Sequence, residues 1–226
     1  MFLHYFILLI GFYLFQPNEK TGKGCKAEEQ LEKLGLIDIQ KLKPEIRVDL
    51  KYSSRDNFVG IDVYGCLSKA YLQKPVAQKL AKAAEILKSE KPGFFLLVYD
   101  AARPKWAQQI LWDSIKKPES LKHIYVANPK RGSMHNYGCA VDLTVVDSKG
   151  IPLDMGTKFD YFGNLAQPRL EQKNFKKGLL SKTQMANRAL LRSVMGKAGF
   201  NHTSSEWWHF NYGSLNLAKS KFSLIL

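Results

Sequence analysis

The sequence predicts an α+β fold: one domain with a central antiparallel sheet flanked by helices. Strand-like apolar runs and amphipathic helical stretches both occur, and they do not alternate strictly, as a doubly wound parallel sheet would require. The longest apolar strand also runs into a turn and a short return segment, the pattern of a hairpin. At 226 residues the chain is slightly longer than a usual single domain. With 45% hydrophobic and 12% aromatic residues it can bury enough apolar surface to offset chain entropy, which excludes global disorder.

The elements follow in order. Val48, Leu50 and Tyr52 alternate with Asp49 and Lys51, the period of a half-buried strand, and Asp56 to Gly65 reads as a loop. Leu72, Val76, Leu80, Ala84 and Leu87 recur at helical spacing, with Pro75 in the first turn and Pro92-Gly93 as the stop. Phe94 to Tyr99 (FFLLVY) is a buried strand, after which Arg103-Pro104 opens a helix carrying Trp106, Ile110 and Leu111. Gly138 to Val146 is the next strand, turned by Asp147 to Gly150 into Ile151 to Leu153. Ser181 and Gln184 form a capping box for the last predicted helix, with Ala186, Leu190, Val194 and Ala198 on one face and Gly199 as its stop. The aromatic stretch Glu206 to Tyr212 (EWWHFNY) predicts a final strand.

The N-terminus has a different composition. Residues 1–18 contain no Lys, Arg, Asp or Glu, and Tyr5 to Phe15 is an apolar run too short to span a bilayer but of the length of a secretory signal core. The division predicted is therefore an apolar signal or anchor segment with its linker over 1–25 and the functional domain over 26–226. Export to the periplasm or beyond is the location expected, with possible membrane or envelope association through that segment. A cytoplasmic location is the alternative, since no basic residue precedes the run. Three cysteines, Cys25, Cys66 and Cys139, allow at most one disulfide and lack the spacing of a cysteine-rich zinc site. Lipid modification of Cys25 is a further alternative. The net charge of 34 − 20 = +14 suits an anionic surface, but no nucleic-acid recognition motif accompanies it and the basic residues are dispersed.

Chemistry concentrates at two of the five histidines, each beside a carboxylate in apolar surroundings: His135 with Asp142, and His209 with Glu206. Asp142 lies inside an apolar strand, where an unpaired charge is costly, so it needs a cation or several donors. Gly138 permits a bend that returns the His135 imidazole to Asp142. Two nitrogens and one oxygen suit Zn²⁺ and leave a fourth position for water, the arrangement of a catalytic site. Glu206 and His209 are three apart, so on a regular strand they would face opposite ways; irregular backbone at Trp207-Trp208 is needed to aim both inward.

These residues resemble a family, the zinc D-alanyl-D-alanine dipeptidases of the vancomycin-resistance type, relatives of the D,D-carboxypeptidases and of the hedgehog signalling domain. The resemblance rests on Ser133-Met134-His135 leading to Ala140-Val141-Asp142-Leu143-Thr144, on Glu206-Trp207-Trp208-His209 and on Ala102-Arg103-Pro104. Val48 to Tyr52, Asp56 to Phe58, Val63 to Gly65 and Asp154 to Gly156 extend it over roughly residues 36–213. Met134, where such sequences commonly carry a small residue, departs from the pattern. The resemblance implies one zinc ion per chain held by His135, Asp142 and His209, Glu206 as catalytic base and Arg103 as stabiliser of the transition state. It further implies that Ser133, Tyr52 and Asp100 contact a small dipeptide substrate. A D,D-carboxypeptidase acting on peptidoglycan stem peptides, which needs an open groove, is the alternative enzyme. A zinc-stabilised binding module without catalysis is the alternative outside enzymes, and Glu206 argues against it.

Overall fold

The computed structural model describes residues 24–226, so the apolar run at Tyr5 to Phe15 lies outside the described residues. The strands are β1 (Ile37–Asp38), β2 (Arg47–Val48), β3 (Tyr71–Leu72), β4 (Phe95–Asp100), β5 (Ala140–Val146), β6 (Asn201–His202) and β7 (His209–Asn211). The helices are α1 (Lys26–Lys33), α2 (Ile39–Leu42), α3 (Lys74–Glu90), α4 (Lys105–Ser114), α5 (Glu119–Lys122), α6 (Glu171–Lys176), α7 (Lys182–Lys197) and α8 (Leu215–Lys221). The main sheet has the order β2-β4-β5-β7-β6, and β1 and β3 form a separate antiparallel pair.

The α+β class holds, with one correction to the antiparallel sheet. Its edge strand β2 runs parallel to β4, while β4-β5, β5-β7 and β7-β6 are antiparallel. The reason lies in the connection: α3 intervenes between β2 and β4, and a crossover through a helix returns the chain in the same direction. Central strand β5 is buried along its whole length. Alternation places Val141, Leu143 and Val145 on the face opposite Asp142, and α3 packs against β4 while α7 packs against α3 and β5. Helices therefore cover one face of the sheet and leave the other to loops.

Other differences have local causes. The strand predicted through Tyr52 stops at Val48, and Lys51–Ser53 forms a 3-10 turn. The Tyr52 carbonyl accepts from the amides of both Val63 and Tyr64, which draws the chain inward and buries Tyr52. Both capping-box bonds of Ser181 and Gln184 form, but the buried face of α7 is rotated: Arg188, Leu191, Val194, Met195 and Ala198 are buried, whereas Ala186 is exposed. A buried arginine takes the place that apolar periodicity assigned to alanine. Helix α8, which periodicity did not predict, is capped by the Ser214 hydroxyl accepting from the Leu217 amide. Cys25 and Cys66 form a disulfide that ties the start of α1 to the loop before β3, so the Cys25 sulfur is not available for lipid. Cys139 is free and buried.

Gly138 ends the 3-10 turn Met134–Tyr137 in the left-handed conformation, φ 64° and ψ 27°. A Cβ there would stand 2.9 Å from Leu36 Cδ2 and 3.2 Å from the Gln73 amide nitrogen, which donates to the Gly138 carbonyl. Gly138→Ala is therefore expected to cost about 1 to 2 kcal/mol from the backbone alone, read as a lower thermal midpoint, with the contact to Leu36 adding to it. An unchanged midpoint would show that this bend is not constrained.

Candidate metal centre and active site

The site forms where strand ends β4, β5 and β7 meet the turn that follows Ser133. A register shift between Val98 and Asp100 sets Asp100 directly across from Asp142. Antiparallel pairing of β5 with β7 sets Asp142 across from His209. The backbone is irregular at Trp207-Trp208 before β7 begins at His209, as the spacing of Glu206 and His209 requires. His135 enters from the 3-10 turn before β5, whose carbonyl oxygen at His135 accepts from the Arg103 amide at 3.0 Å.

His135, Asp142 and His209 converge, with one potential ligand atom from each lying within 4.8 Å of the others. His209 Nδ1 is 2.8 Å from Asp142 Oδ1 and 3.2 Å from His135 Nε2, and His135 Nε2 is 3.4 Å from Asp142 Oδ2. The outward nitrogens are occupied. His135 Nδ1 donates to the Ala101 carbonyl at 2.7 Å, and His209 Nε2 donates to Asn211 Oδ1 at 2.9 Å. With the outer nitrogens so engaged, the neutral form of each ring has its lone pair on the inner nitrogen, the tautomer that a metal ligand needs. Two inward imidazole nitrogens and a buried carboxylate are the donor set that Zn²⁺ accepts.

The electrostatics agree with that fit. Burial opposes ionisation of Asp142, yet His135 and His209 together hold its carboxyl well below the usual range. Burial likewise works against a charged His209, but Asp142, and after it Glu206, push it up to about 9. Without a metal the imidazolium compensates the carboxylate, so a divalent ion entering here displaces a proton.

A cavity of about 100 Å³ opens beside the cluster, and Tyr52, Arg103, Ser133, Asp160, Glu206 and His209 are among its walls. Glu206 Oε2 is 4.0 Å from His209 Nδ1, close to the cluster without joining it, and burial raises its pKa. Arg103 donates through Nε to Asp100 Oδ2 and through Nη1 to Gln108 Oε1, both at 2.9 Å, while Nη2 is 3.7 Å from Asp142 Oδ2. The Ser133 hydroxyl sits 3.3 Å from Gln108 Oε1 and 3.1 Å from Asn136 Oδ1. Asp100 needs correction as a substrate contact. It is fully buried behind Arg103, its carboxylate occupied by that guanidinium, the Tyr64 hydroxyl and the Ala101 amide, so it orients Arg103 instead of reaching the cavity.

Sequence reasoning missed Asp160. At φ 58° it is the non-glycine residue with positive φ among the described residues, and its Oδ2 accepts from the Tyr52 hydroxyl at 2.9 Å. Burial, reinforced by Asp142, raises its pKa well above the carboxylate range even though Tyr52 opposes the shift. The only sequence signal was an aspartate between two aromatics, Phe159 and Tyr161. His209→Ala, which deletes one of the three convergent donors, should weaken zinc binding at least about tenfold, the scale on which even the partners of ligands act. Full zinc occupancy and affinity in that variant, measured by competition with a chelator, would remove His209 from the set.

The sequence profile of the peptidase M15 family, described as D-Ala-D-Ala dipeptidase, matches residues 32–225. The chain is 35% identical over 175 residues to the D-alanyl-D-alanine dipeptidase of Escherichia coli (strain K12), covering 77% of this chain and 83% of that protein. It is 30% identical over 195 residues to the D-alanyl-D-alanine dipeptidase of Enterococcus faecium, covering 78% and 91%. Among solved structures it is similar to the vancomycin resistance D,D-pentapeptidase VanY in complex with Zn(II), with a TM-score of 0.39 and 16% identity over 67% of this chain and 78% of that one. A family profile spanning nearly all the described residues, with curated relatives aligned over most of their own length, makes this chain a member of the D-alanyl-D-alanine dipeptidase family of M15 peptidases.

Proposed function

We propose that this protein is a zinc dipeptidase that hydrolyses D-alanyl-D-alanine, with His135, Asp142 and His209 holding the ion. The observation that carries the substrate reading is the pair of opposite charges, Arg103 and Asp160, on the walls of one small cavity. A space of about 100 Å³ with a guanidinium on one wall and Asp160 on another gives each charged end of a small zwitterion a partner. The carboxypeptidase alternative leaves the Asp160 carboxylate without a cation, since the corresponding amine of a longer peptide is already acylated. The non-catalytic alternative leaves Glu206 beside the cluster without a task.

Zinc, when bound, polarises the scissile carbonyl and lowers the pKa of water toward about 7. The protein's residues do the rest. Glu206 takes a proton from the attacking water as its oxygen bonds to the carbonyl carbon. The same carboxyl gives that proton to the amide nitrogen as the C–N bond breaks. Arg103, kept charged and aimed by Asp100 and Gln108, donates to the oxygen that becomes negative. Asp160 supplies the carboxylate that the substrate ammonium requires, and ionises when that cation arrives. Ser133 and Tyr52 complete the walls.

Zinc-loaded Glu206→Ala is expected to retain the metal and lose nearly all turnover, and loss of zinc along with activity would make Glu206 a ligand. Acetylating the substrate amine should lower kcat/KM at least about tenfold, the equivalent of 1.4 kcal/mol, since the Asp160 carboxyl loses its charged partner. Equal hydrolysis of D-Ala-D-Ala and its acetylated form would exclude the dipeptidase reading.

Export is the location this reading favours. The apolar run at Tyr5 to Phe15 has signal-core length, and a Cys25–Cys66 disulfide persists only in an oxidising compartment. The substrate in view is a small dipeptide, with anionic envelope surfaces attracting the +14 charge and no part for nucleic acid. Protein taken from its natural host under non-reducing, denaturing conditions should offer alkylating reagents one thiol, Cys139. Three reactive thiols would place it in a reducing compartment.

A further inference from the structure

The backbone from Met155 to Leu165 forms a loop with Asp160 at its midpoint, five residues from either end. Its ends are joined by one side chain. Arg188, 1% exposed on α7, donates through Nε to the Met155 carbonyl at 2.7 Å and through Nη2 to the Leu165 carbonyl at 2.9 Å. Its remaining nitrogen, Nη1, reaches Glu171 Oε1 at 3.3 Å. Two neighbours on the same helix face extend the hold: Gln184 Nε2 donates to Asp154 Oδ2, and Asn187 Nδ2 to the Asp154 carbonyl, both at 2.8 Å.

On the loop's inner side, Phe159 packs on Tyr52 and Trp208, and Phe162 on Phe58, with ring centroids 5.0 to 6.1 Å apart. The loop also borders a larger open space. A cavity of about 810 Å³ lies there, with Asp160 and Phe58 forming walls of both this space and the catalytic cavity. The buried Thr144 hydroxyl, two residues beyond Asp142 and on the same face of β5, borders the space and has no hydrogen-bond partner among the described residues. The loop's position is held by these aromatic contacts and by its clamped ends.

We infer that Arg188 is a positioning residue for recognition of the substrate amine: by fixing both ends of loop 155–165 it sets where the Asp160 carboxylate stands in the catalytic cavity. The planar guanidinium suits the task because it spans two carbonyls at once, which an ammonium cannot do with the same geometry. The inference rests on the dipeptidase reading. It adds a determinant from a helix that contributes no wall to the catalytic cavity, acting through the loop on a single charge.

The test uses the full zinc-loaded chain, unaltered and with Arg188→Met or Arg188→Lys. Glu171 keeps Arg192 Nη1 at 2.7 Å, so the methionine variant does not strand a buried carboxylate. With D-Ala-D-Ala, Arg188→Met should raise KM at least about tenfold while kcat falls much less, since small displacements of a positioning group carry penalties of that order or more. The preference for the free over the N-acetylated dipeptide should narrow by a similar factor, zinc per chain should stay constant, and Arg188→Lys should recover part of the loss. A lower thermal midpoint with unchanged KM and unchanged preference would reduce Arg188 to scaffold and overturn the inference. Should neither variant fold, Gln184→Ala combined with Asn187→Ala releases the Asp154 end alone and must raise KM by a smaller margin; an unchanged KM there also overturns it. If the unaltered protein does not prefer the free dipeptide, the dipeptidase reading itself fails, a result read before any variant is compared.

Discussion

Asp142 is a buried carboxylate on the central strand of the sheet, placed by register directly across from a second buried carboxylate, Asp100. Like charges facing each other across a ladder are destabilising, and both have left water. The architecture around them is a set of cationic and donor groups that makes the arrangement tolerable. Arg103 lies against Asp100 with one nitrogen 3.7 Å from Asp142 Oδ2, which His135 also approaches, and His209 lies against Asp142 Oδ1. What compensates Asp142 in the folded chain is also the set of groups suited to hold a metal and act on a carbonyl. Stability and chemistry therefore depend on the same few contacts.

That coupling explains the division of the molecule. Groups that must not move are on strands or tied to them: Asp142 and His209 in the ladder, and His135 and Arg103 joined through their backbones. Helices α3 and α7 back the sheet on its far side, so the site face is free for loops. Those loops supply walls of the cavity beside the cluster, Tyr52 and Phe58 from one and Asp160 and Phe162 from the other. Aromatic contacts join the two loops, Tyr52 with Phe159 and Phe58 with Phe162. A floor of strands with looped walls thus separates the candidate metal donors from much of the surface that shapes the cavity.

Much of this was legible in the sequence because the informative residues were improbable where they stood. An aspartate within Ala140 to Val146 and a histidine beside two tryptophans demanded partners, and the spacing of Glu206 and His209 demanded irregular backbone, which is present at Trp207-Trp208. The less legible features depended on long-range pairing. The family resemblance implied that Asp100 contacts substrate, but the register shift at Tyr99 turns it behind Arg103. Asp160 had no periodic neighbour to mark it. The buried face of α7 was misread because periodicity counts apolar residues, and the deciding residue, Arg188, is charged and buried only because two carbonyls and Glu171 receive it.

By itself the sequence determined the class of fold, the turn at Gly138, the cap at Ser181 and the identity of the residues able to bind a metal, since periodicity, φ requirements and donor chemistry are local properties. Tertiary structure decided which of those residues meet, which carboxylate faces the cavity and which loops wall it. Such outcomes depend on strand register and on contacts between segments as far apart as Tyr52 and Asp160, whose 2.9 Å hydrogen bond closes one wall of the site across 108 residues of chain.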